Sequence, residues 1–301
     1  LWEPILPFAG CGFNQGHATA YADVSYRSAY VKAHWPAEFL CARLADAGGF
    51  HHPAVYMAEA VRLGIAVRPP HVNFSDAAFT LTYEYAPDSE RPILWMGLGQ
   101  VRDLRAASVR AIISERAAAP FANLRNLSSR VSLQPKEVSN LVRCGALDGL
   151  GLSRRAMLDE AGEAGRAGSA GQLRFDFLET PAAADETAAE RIAWETELIG
   201  QPVSTHPLAL IKVPRGATPL DRLPDAPGKP VTVYSVRVPG WPGGSGFFIG
   251  DGETFVVARL DKQLAAERVR RPYWRPMRLD GRWRRDEWDG GWFQVEAIEM
   301  L

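Results

Sequence analysis

Residues 268–285 combine positive charge with aromatic rings. The segment reads RVRRPYWRPMRLDGRWRR and contains eight arginines and one acid, with tyrosine and tryptophan between them. Proteins that bind single-stranded DNA use this combination, because arginines contact the phosphates while bases stack on the rings. The alternative is that the tryptophans fill a protein core and the arginines coat a strand. For the binding interpretation, the candidate residues are Tyr273, Trp274, Arg275, Arg278 and Trp283.

A second basic region covers residues 98–158. It contains ten lysines and arginines and four acids, a local net charge of +6, whereas the net charge of the whole chain is −1. Any nucleic-acid surface must therefore arise from local segregation of charge. Such a region binds duplex DNA through its phosphates, independently of sequence. The alternative is a structural helical module whose arginines are solvated.

The chain shows no arrangement of residues that is typical of a catalytic metal site. Metal-assisted phosphoryl transfer needs several carboxylates at one place, and no Asp-x-Asp pair lies in an apolar strand. The adjacent His51 and His52 are typical of a solvated turn. Cys11, Cys41 and Cys144 lack the spacing of zinc ligands. We therefore expect no catalytic residue, no metal and no cofactor in this chain.

The composition is that of an ordinary globular protein. With 301 residues, 47% of them hydrophobic and 23% charged, the chain is long enough for two or three domains. It has no apolar run of about 18 residues, so we expect no membrane partner. Three scattered cysteines fit a reducing compartment, which predicts a cytoplasmic location. The first residue, Leu1, suggests a fragment or a trimmed chain.

Hydrophobic spacing predicts helices in the first two-thirds of the chain and strands in the last third. Helices are expected over Ala18–Ala33, from Pro36 onward, over Pro53–Leu63 with Gly64 as the stop, and around Ala188–Ile199. Short helices joined by tight turns are expected between residues 97 and 158, and a linker over residues 162–189. Alternation around Leu81 predicts a strand. Between Val231 and Leu301 about five short runs predict a small closed barrel.

Several sequence blocks occur in an order found in a known family. They are FAGCGFNQGHATAYA with YVKAHWPAEF, then YMAEAVRLGIAVRPPHVNFSD, GLGQVRDLRAASVRAIISER, LVRCGALDGLGLSRRAML and WETELIGQPVSTHPL. Together they resemble the bacterial DNA polymerase III alpha subunits, the C-family polymerases, and they extend to about Leu210. The replicative and error-prone branches match about equally well.

The resemblance implies an α+β, multidomain fold that forms the C-terminal part of such a polymerase. The expected parts are the end of the fingers (residues 1–92), a tandem helix-hairpin-helix module (93–161), a linker with a connecting helix (162–229) and an oligonucleotide-binding (OB-fold-like) barrel (230–301). In the family, three acidic residues of the palm hold Mg²⁺, and the palm precedes the fingers. The resemblance therefore implies a palm-containing N-terminal portion, acting in cis or in trans.

Within the fingers, one turn resembles a nucleotide contact of the family. The family has Phe-Asn-Lys-Ser-His, whereas this chain has Gln15 for the lysine and Gly16 for the serine. Losing the lysine removes a charge that attracts phosphate. The alternative is a turn that caps the following helix. The candidates for nucleotide binding are Asn14, Gln15 and His17.

The two expected hairpins differ from each other. The first has Asp103-Leu104-Arg105 where the family has a Gly-Val-Gly-like turn, and the second keeps Gly145 followed by Ser153, a good N-cap. Arginines in the next helical turn oppose the helix dipole, so a bound phosphate would explain them. The candidate DNA-binding residues are Arg102, Arg105, Arg143, Gly145, Arg154 and Arg155.

The linker contains GQLRFDFLE, which resembles the sliding-clamp-binding peptide of the family. Its candidate residues are Gln172, Leu173, Phe175 and Phe177. Two aromatics would fill an apolar pocket on the clamp while the glutamine binds at its edge. The alternative is that the phenylalanines dock on the chain's own domains.

These features together predict the DNA-binding and clamp-tethering portion of a DNA-directed DNA polymerase, for replication or translesion repair synthesis. Its partners would be primer–template DNA, single-stranded DNA, the sliding clamp and the palm-containing portion. The alternatives are a free-standing adaptor that binds DNA and the clamp without an enzymatic partner, and a decayed fragment without function.

Overall fold

The computed structural model describes residues 15–46, 48–86, 89–167, 185–260, 264, 272–287 and 290–301. The part before residue 200 is mainly helical, and a β-barrel forms the end of the chain. The helices are α1 (Gln15–His34), α2 (Pro36–Ala45), α3 (Pro53–Arg62), α4 (Ala106–Ala118), α5 (Leu124–Arg130), α6 (Pro135–Arg143), α7 (Arg154–Ala167) and α8 (Ala188–Ile199). Among these described helices, none is both long and apolar enough to cross a membrane.

Local signals in the sequence set the limits of the first three helices. Pro36 and Pro53 occupy first-turn positions, where a missing N–H costs nothing. His52 caps α3, since its Nδ1 accepts the Ala54 N–H at 3.2 Å. Gly64, with φ of 77°, follows the end of α3. These predicted helices are confirmed, and His52, which was expected in a solvated turn, caps a helix.

A small sheet connects the first helices to the rest of the helical part. Its strands are β1 (Ala66–Arg68), β2 (Thr80–Ala86) and β3 (Ser89–Trp95) in the order β1-β3-β2. The β1 strand pairs parallel to β3, and β2 pairs antiparallel to it. The strand predicted around Leu81 is confirmed as β2, whereas β3 was not predicted.

One hydrophobic core runs through the helical part from α2 onward. It extends from Ala37 to Ile199 and includes Leu98, Ile112 and Leu141 of the basic region, all of them fully buried. The core therefore continues across residue 92, where the sequence suggested a boundary between fingers and hairpins. The domain boundaries stay a prediction.

The C-terminal strands form a closed five-stranded barrel, as predicted. They are β4 (Pro230–Val238), β5 (Gly246–Gly250), β6 (Phe255–Leu260), β7 (Pro276–Arg285) and β8 (Gly291–Met300), in the order β4-β5-β6-β8-β7 with β7 pairing back to β4. The β6 and β8 strands are parallel, and the other pairs are antiparallel. This arrangement is consistent with an OB-like fold.

The outer face of β4 and β5 packs against the helical part. Val236, Val238 and Phe248 form a buried cluster with Ala54 and Val55 of α3. In OB folds, oligonucleotides commonly bind on the outer face of the second and third strands. Here α3 covers part of that face, which limits where a single strand can reach the barrel.

Candidate nucleic-acid interface

The turn of the first hairpin has an unusual backbone conformation. Asp103 has φ of 59°, in the left-handed region that favours glycine and that Asp tolerates better than most residues. Its carboxylate lies 2.9 Å from Lys136 Nζ, and this hydrogen bond lowers the pKa of Asp103. The turn is also held through its backbone, since Asn140 donates to the Arg102 carbonyl at 2.8 Å. Lys136 thus partly neutralises the negative charge that Asp103 brings to this turn.

An ion pair between Arg105 and Glu137 joins the first hairpin to the second. The Glu137 carboxylate is almost fully buried and accepts Arg105 Nε at 3.0 Å and Nη2 at 2.8 Å. It also accepts the Arg105 N–H at 3.0 Å and Ser108 Oγ at 2.7 Å. Burial alone would raise the pKa of Glu137, but these hydrogen bonds hold it at about 2. Arg105 is therefore chiefly an ion-pair partner, with half of its side chain still exposed.

The start of α4 is open. Helix α4 has no side-chain N-cap and no acid in its first turn, and both Ala106 and Ala107 are exposed. Free N–H groups at a helix start carry partial positive charge and bind phosphate. Arg102 lies in the preceding turn, and Arg110 lies one helical turn further. Arg110 has no acidic partner in the ranges that the structure describes.

The second hairpin has a buried arginine at its centre. Arg154 is 1% exposed, and its guanidinium contacts Asp148 Oδ1 at 2.8 Å, Asp148 Oδ2 at 2.7 Å and Glu195 Oε1 at 2.9 Å. A fourth bond, of 3.0 Å, reaches the Arg143 carbonyl. Burial would lower the pKa of Arg154, but the two carboxylates raise it above its ordinary value. The prediction that Arg154 contacts DNA is therefore replaced by a structural role, since its partners are inside the protein.

Gly145 makes room for that arginine. Its φ of 89° favours glycine, and a Cβ atom at this position would collide with Arg154 Nη2. Gly145 is itself buried. Close packing inside the protein therefore explains this glycine without an approaching phosphate.

The start of α7 is occupied by protein groups. Ser153 Oγ accepts the Ala156 N–H at 3.3 Å, which confirms the predicted N-cap. Glu186 Oε2 accepts the Arg155 N–H at 3.2 Å, so a carboxylate lies where a phosphate was expected. The same glutamate pairs with Arg191 at 2.6 Å.

Helix α8 and the residues just before it bring negative charge to this hairpin. Arg143 pairs with Glu197 at 2.6 Å, Arg155 pairs with Glu190, and both guanidiniums lie 5.7 Å from the centre of the Trp194 ring. Residues 186–199 contain four glutamates and one arginine. Counted with them, the net charge of the basic region falls from +6 to +3. These pairs are not apparent from the sequence, because the partners are 31 to 54 residues apart.

Of the five candidates for single-strand binding, some are packed inside the protein and others lie on its surface. Trp283 is 6% exposed and belongs to the barrel core, where strand β7 directs it inward. Trp274 packs against the cluster between barrel and helices, with φ of 61°. These two tryptophans therefore have structural surroundings, as the alternative interpretation predicted. Residues 276–285 form strand β7, which agrees with the same alternative, that the arginines coat a strand.

The remaining three candidates are accessible. Tyr273 is 47% exposed, and the Arg237 guanidinium lies 4.6 Å from its ring centre. Arg275 is exposed. Arg278 pairs with Asp280 at 3.1 Å and with Glu299 at 3.5 Å. Tyr273 and Arg275 are thus the candidates that the fold leaves available.

Other candidates lie at or beyond the edges of the described ranges. Asn14 and the clamp-motif residues Gln172, Leu173, Phe175 and Phe177 fall outside the described residues. Gln15 and His17 lie in the first turn of α1, and the His17 ring is 4.4 Å from Tyr21. Within the described ranges, no three His, Cys, Asp or Glu residues are grouped as a metal site.

The sequence is similar to those of several known proteins. The helix-hairpin-helix motif family matches residues 64–157. A DNA polymerase III subunit alpha of Helicobacter pylori strain J99 is 36% identical over 56% of this chain and 14% of that protein. An error-prone DNA polymerase of Corynebacterium jeikeium is 32% identical over 79% of this chain and 24% of that protein. The chain thus spans a quarter or less of the length of these relatives.

A likeness to a solved structure concerns a smaller part of the chain. The asparaginyl-tRNA synthetase of Pyrococcus horikoshii is similar over 28% of this chain and 23% of that one, with 19% identity and a TM-score of 0.23.

Proposed function

We propose that this chain, a homologue of the DNA polymerase III alpha subunits and error-prone DNA polymerases, holds duplex DNA for such a polymerase. The observation that carries the proposal is the open start of α4, with Ala106 and Ala107 exposed between Arg102 and Arg110. This start lies within the matched helix-hairpin-helix motif. The first hairpin is therefore the proposed duplex contact.

The proposed contact is a phosphate held by backbone and side chains together. The α4 N–H groups would donate to one phosphate, and the helix dipole would favour its negative charge. Arg102 and Arg110 would contact flanking phosphates. Such contacts orient DNA without distinguishing its sequence, as a polymerase that copies any template requires.

The test is duplex binding by the variant Arg102→Gln/Arg110→Gln, measured by fluorescence anisotropy over a range of salt concentrations. Each lost phosphate contact should make the slope of log affinity against log salt shallower by about 1. The matched control is Lys212→Gln/Arg215→Gln, which removes the same charge from an exposed loop. If both double variants change the salt slope equally, the change reflects only the lost net charge, and the proposed contact is refuted.

We further propose that catalysis resides in a palm-containing portion that holds Mg²⁺ on its carboxylates, linked in cis or supplied in trans. The described part of α1 has no buried residue, and it exposes Tyr21, Tyr26 and Tyr30. Exposed aromatic residues of this kind mark surfaces that another protein part covers. In primer extension, the chain alone should be inactive and should increase the DNA affinity of an added palm portion. DNA binding without any effect on that portion would support the free-standing adaptor.

Clamp tethering remains part of the proposal. It is supported by the sequence of residues 171–179, which has a glutamine followed by aliphatic and aromatic residues. In a pull-down with the sliding clamp, Phe175→Ala/Phe177→Ala should abolish capture. Glu179→Gln, at the edge of the same segment, should not. Unchanged capture by the double variant would show that this segment does not bind the clamp.

A further inference from the structure

A cavity of about 450 Å³ opens between the small sheet and the second hairpin. Its lining includes Arg68, His71, Phe74, Trp95, Asp148 and Arg191. This volume is within the range of ligand pockets, about 300–1,000 Å³. The cavity is separate from the open start of α4, so the proposed duplex contact does not account for it.

One wall of the cavity is a stack of aromatic rings. Phe74 is 45% exposed, and its ring lies 4.7 Å from that of Trp95 at an angle of 25°. Trp95 is held in place because its Nε1 donates to Thr82 Oγ1 at 2.8 Å. The exposed Phe74 therefore continues a stack whose inner member is fixed, and a further flat ring would extend it.

His71 packs against both aromatic rings of this wall. Its ring lies 4.8 Å from Phe74 and 5.5 Å from Trp95. Its Nε2 lies 3.0 Å from the Asp148 carbonyl, and its Nδ1 accepts the Asn73 N–H at 3.1 Å. Both ring nitrogens are thereby engaged, so the wall is already arranged before any ligand binds.

The charges of the cavity favour an anion. The acid in its lining, Asp148, is neutralised by Arg154 through two hydrogen bonds. Arg191 is paired with Glu186. Arg68 is exposed and has no acidic partner among the residues that the structure describes. Arg68, which lines the cavity together with the aromatic stack, is thus an arginine without an acidic partner among the described residues.

We infer that this cavity binds an unpaired nucleotide of a single strand, with its base on Phe74 and its phosphate at Arg68. A flat ring and an anion are the two groups that every nucleotide offers, and base stacking on an aromatic side chain tolerates any base. The position beside the hairpins suits a strand that leaves a bound duplex. The inference extends the proposed function by adding a single-strand site.

The experiment compares a blunt duplex with the same duplex carrying a short single-stranded extension. The extension should increase the affinity of the chain about fivefold to tenfold, as expected for one stacked base. Phe74→Ala should remove this gain and leave blunt-duplex binding unchanged. Arg68→Gln should remove a smaller part of it. The matched controls are Phe50→Ala, at an exposed phenylalanine in another loop, and Arg91→Gln, and both should retain the gain.

An abasic scan identifies the nucleotide that is bound. At one position of the extension, removing the base should lower the affinity of the wild-type protein by the same factor as Phe74→Ala lowers it for the intact extension. Combining the abasic position with Phe74→Ala should lower the affinity no further. Additive losses at every position would overturn the inference. So would the absence of any gain, or Phe74-dependent binding of free thymidine monophosphate without any gain from the extension. If the chain ignores the blunt duplex yet shows the Phe74-dependent gain, the proposed duplex contact fails and the cavity site stands.

Discussion

The two hairpins present opposite surroundings at the helix that follows each turn. In the first, α4 begins with exposed residues and no side-chain cap. In the second, Ser153 and Glu186 already hold the first N–H groups of α7. The sequence favoured the second hairpin because it keeps glycine and places two arginines in the first helical turn. In the structure, Gly145 and Arg154 are buried, and the half-exposed Arg155 pairs with Glu190.

The difference between the hairpins originates in α8. This helix lies against the second hairpin and supplies partners for Arg143, Arg154 and Arg155. At the start of α4, the Glu137 carboxylate accepts the N–H of Arg105, the residue before the helix, but α4 has no side-chain N-cap and no acid in its first turn. A count of positive charge along the sequence therefore overestimates what is available to DNA, because it omits acids that arrive from distant positions.

The largest effect is expected where the second hairpin is most tightly packed. Arg154→Met should leave Glu195, which is fully buried, without its charged partner. Removing one partner of a buried ion pair costs about 3–5 kcal/mol. Arg155→Met, at the next and half-exposed position, should cost at most about 1 kcal/mol. Urea denaturation measures both, and equal losses would contradict the structural role of Arg154.

The next effect concerns the ion pair that joins the two hairpins. The pKa of Glu137 is lowered from 4.5 to about 2, so its stabilisation is complete above about pH 4.5 and is lost as the pH falls toward 2. A shift of this size corresponds to about 3 kcal/mol. Urea titrations at several pH values should show this loss in the wild type and a flatter profile for Glu137→Gln. Glu115→Gln, at a more exposed glutamate, should keep the wild-type profile, and a steep profile for Glu137→Gln would refute the assignment.

A smaller effect is expected when the start of α7 is freed of its carboxylate, which should make it available to phosphate like the start of α4. Glu186→Gln removes the carboxylate at the start of α7, so the hairpin should gain affinity for duplex phosphate, about threefold to tenfold at low salt. Asp185→Asn removes the same charge from the adjacent exposed position. Anisotropy with a blunt duplex compares the two. If both variants bind alike, Glu186 does not block the second hairpin.

The smallest effect is expected in the first turn. Asp103→Asn keeps a residue that tolerates the left-handed backbone but removes a negative charge near the proposed phosphate. Duplex affinity should rise about twofold at low salt, and the gain should vanish at high salt because exposed charges are screened. Glu90→Gln, at an exposed acid of β3, provides the comparison. A decrease in affinity for Asp103→Asn would place the phosphate elsewhere.

Elements with local signals were predictable, and elements that depend on partners were not. Pro36, Pro53 and Gly64 mark helix limits through their own backbone preferences. Strand β3 begins with the polar Ser-Glu-Arg and was missed, because its strand conformation depends on pairing with β1 and β2. Strand β7 alternates inward Met277, Leu279 and Trp283 with outward arginines, and this period of two was available in the sequence.

The residues of the candidate site also differ in how well the sequence could predict their roles. Ser153 was predictable as a cap because its partner lies three residues away. The role of Arg154 was not predictable, because Glu195 lies 41 residues further along the chain. Arg110 has helical spacing from the first turn of α4, and the sequence could have identified it from that spacing alone.

The salt dependence of duplex binding by two double variants tests the central claim most directly. One variant is Arg102→Gln/Arg110→Gln in the first hairpin, and the other is Arg143→Gln/Arg155→Gln in the second. The first should make the slope of log affinity against log salt shallower by about 2, and the second should change it little. A shallower slope for the second variant, with the first unchanged, would contradict the claim that the first hairpin holds the DNA.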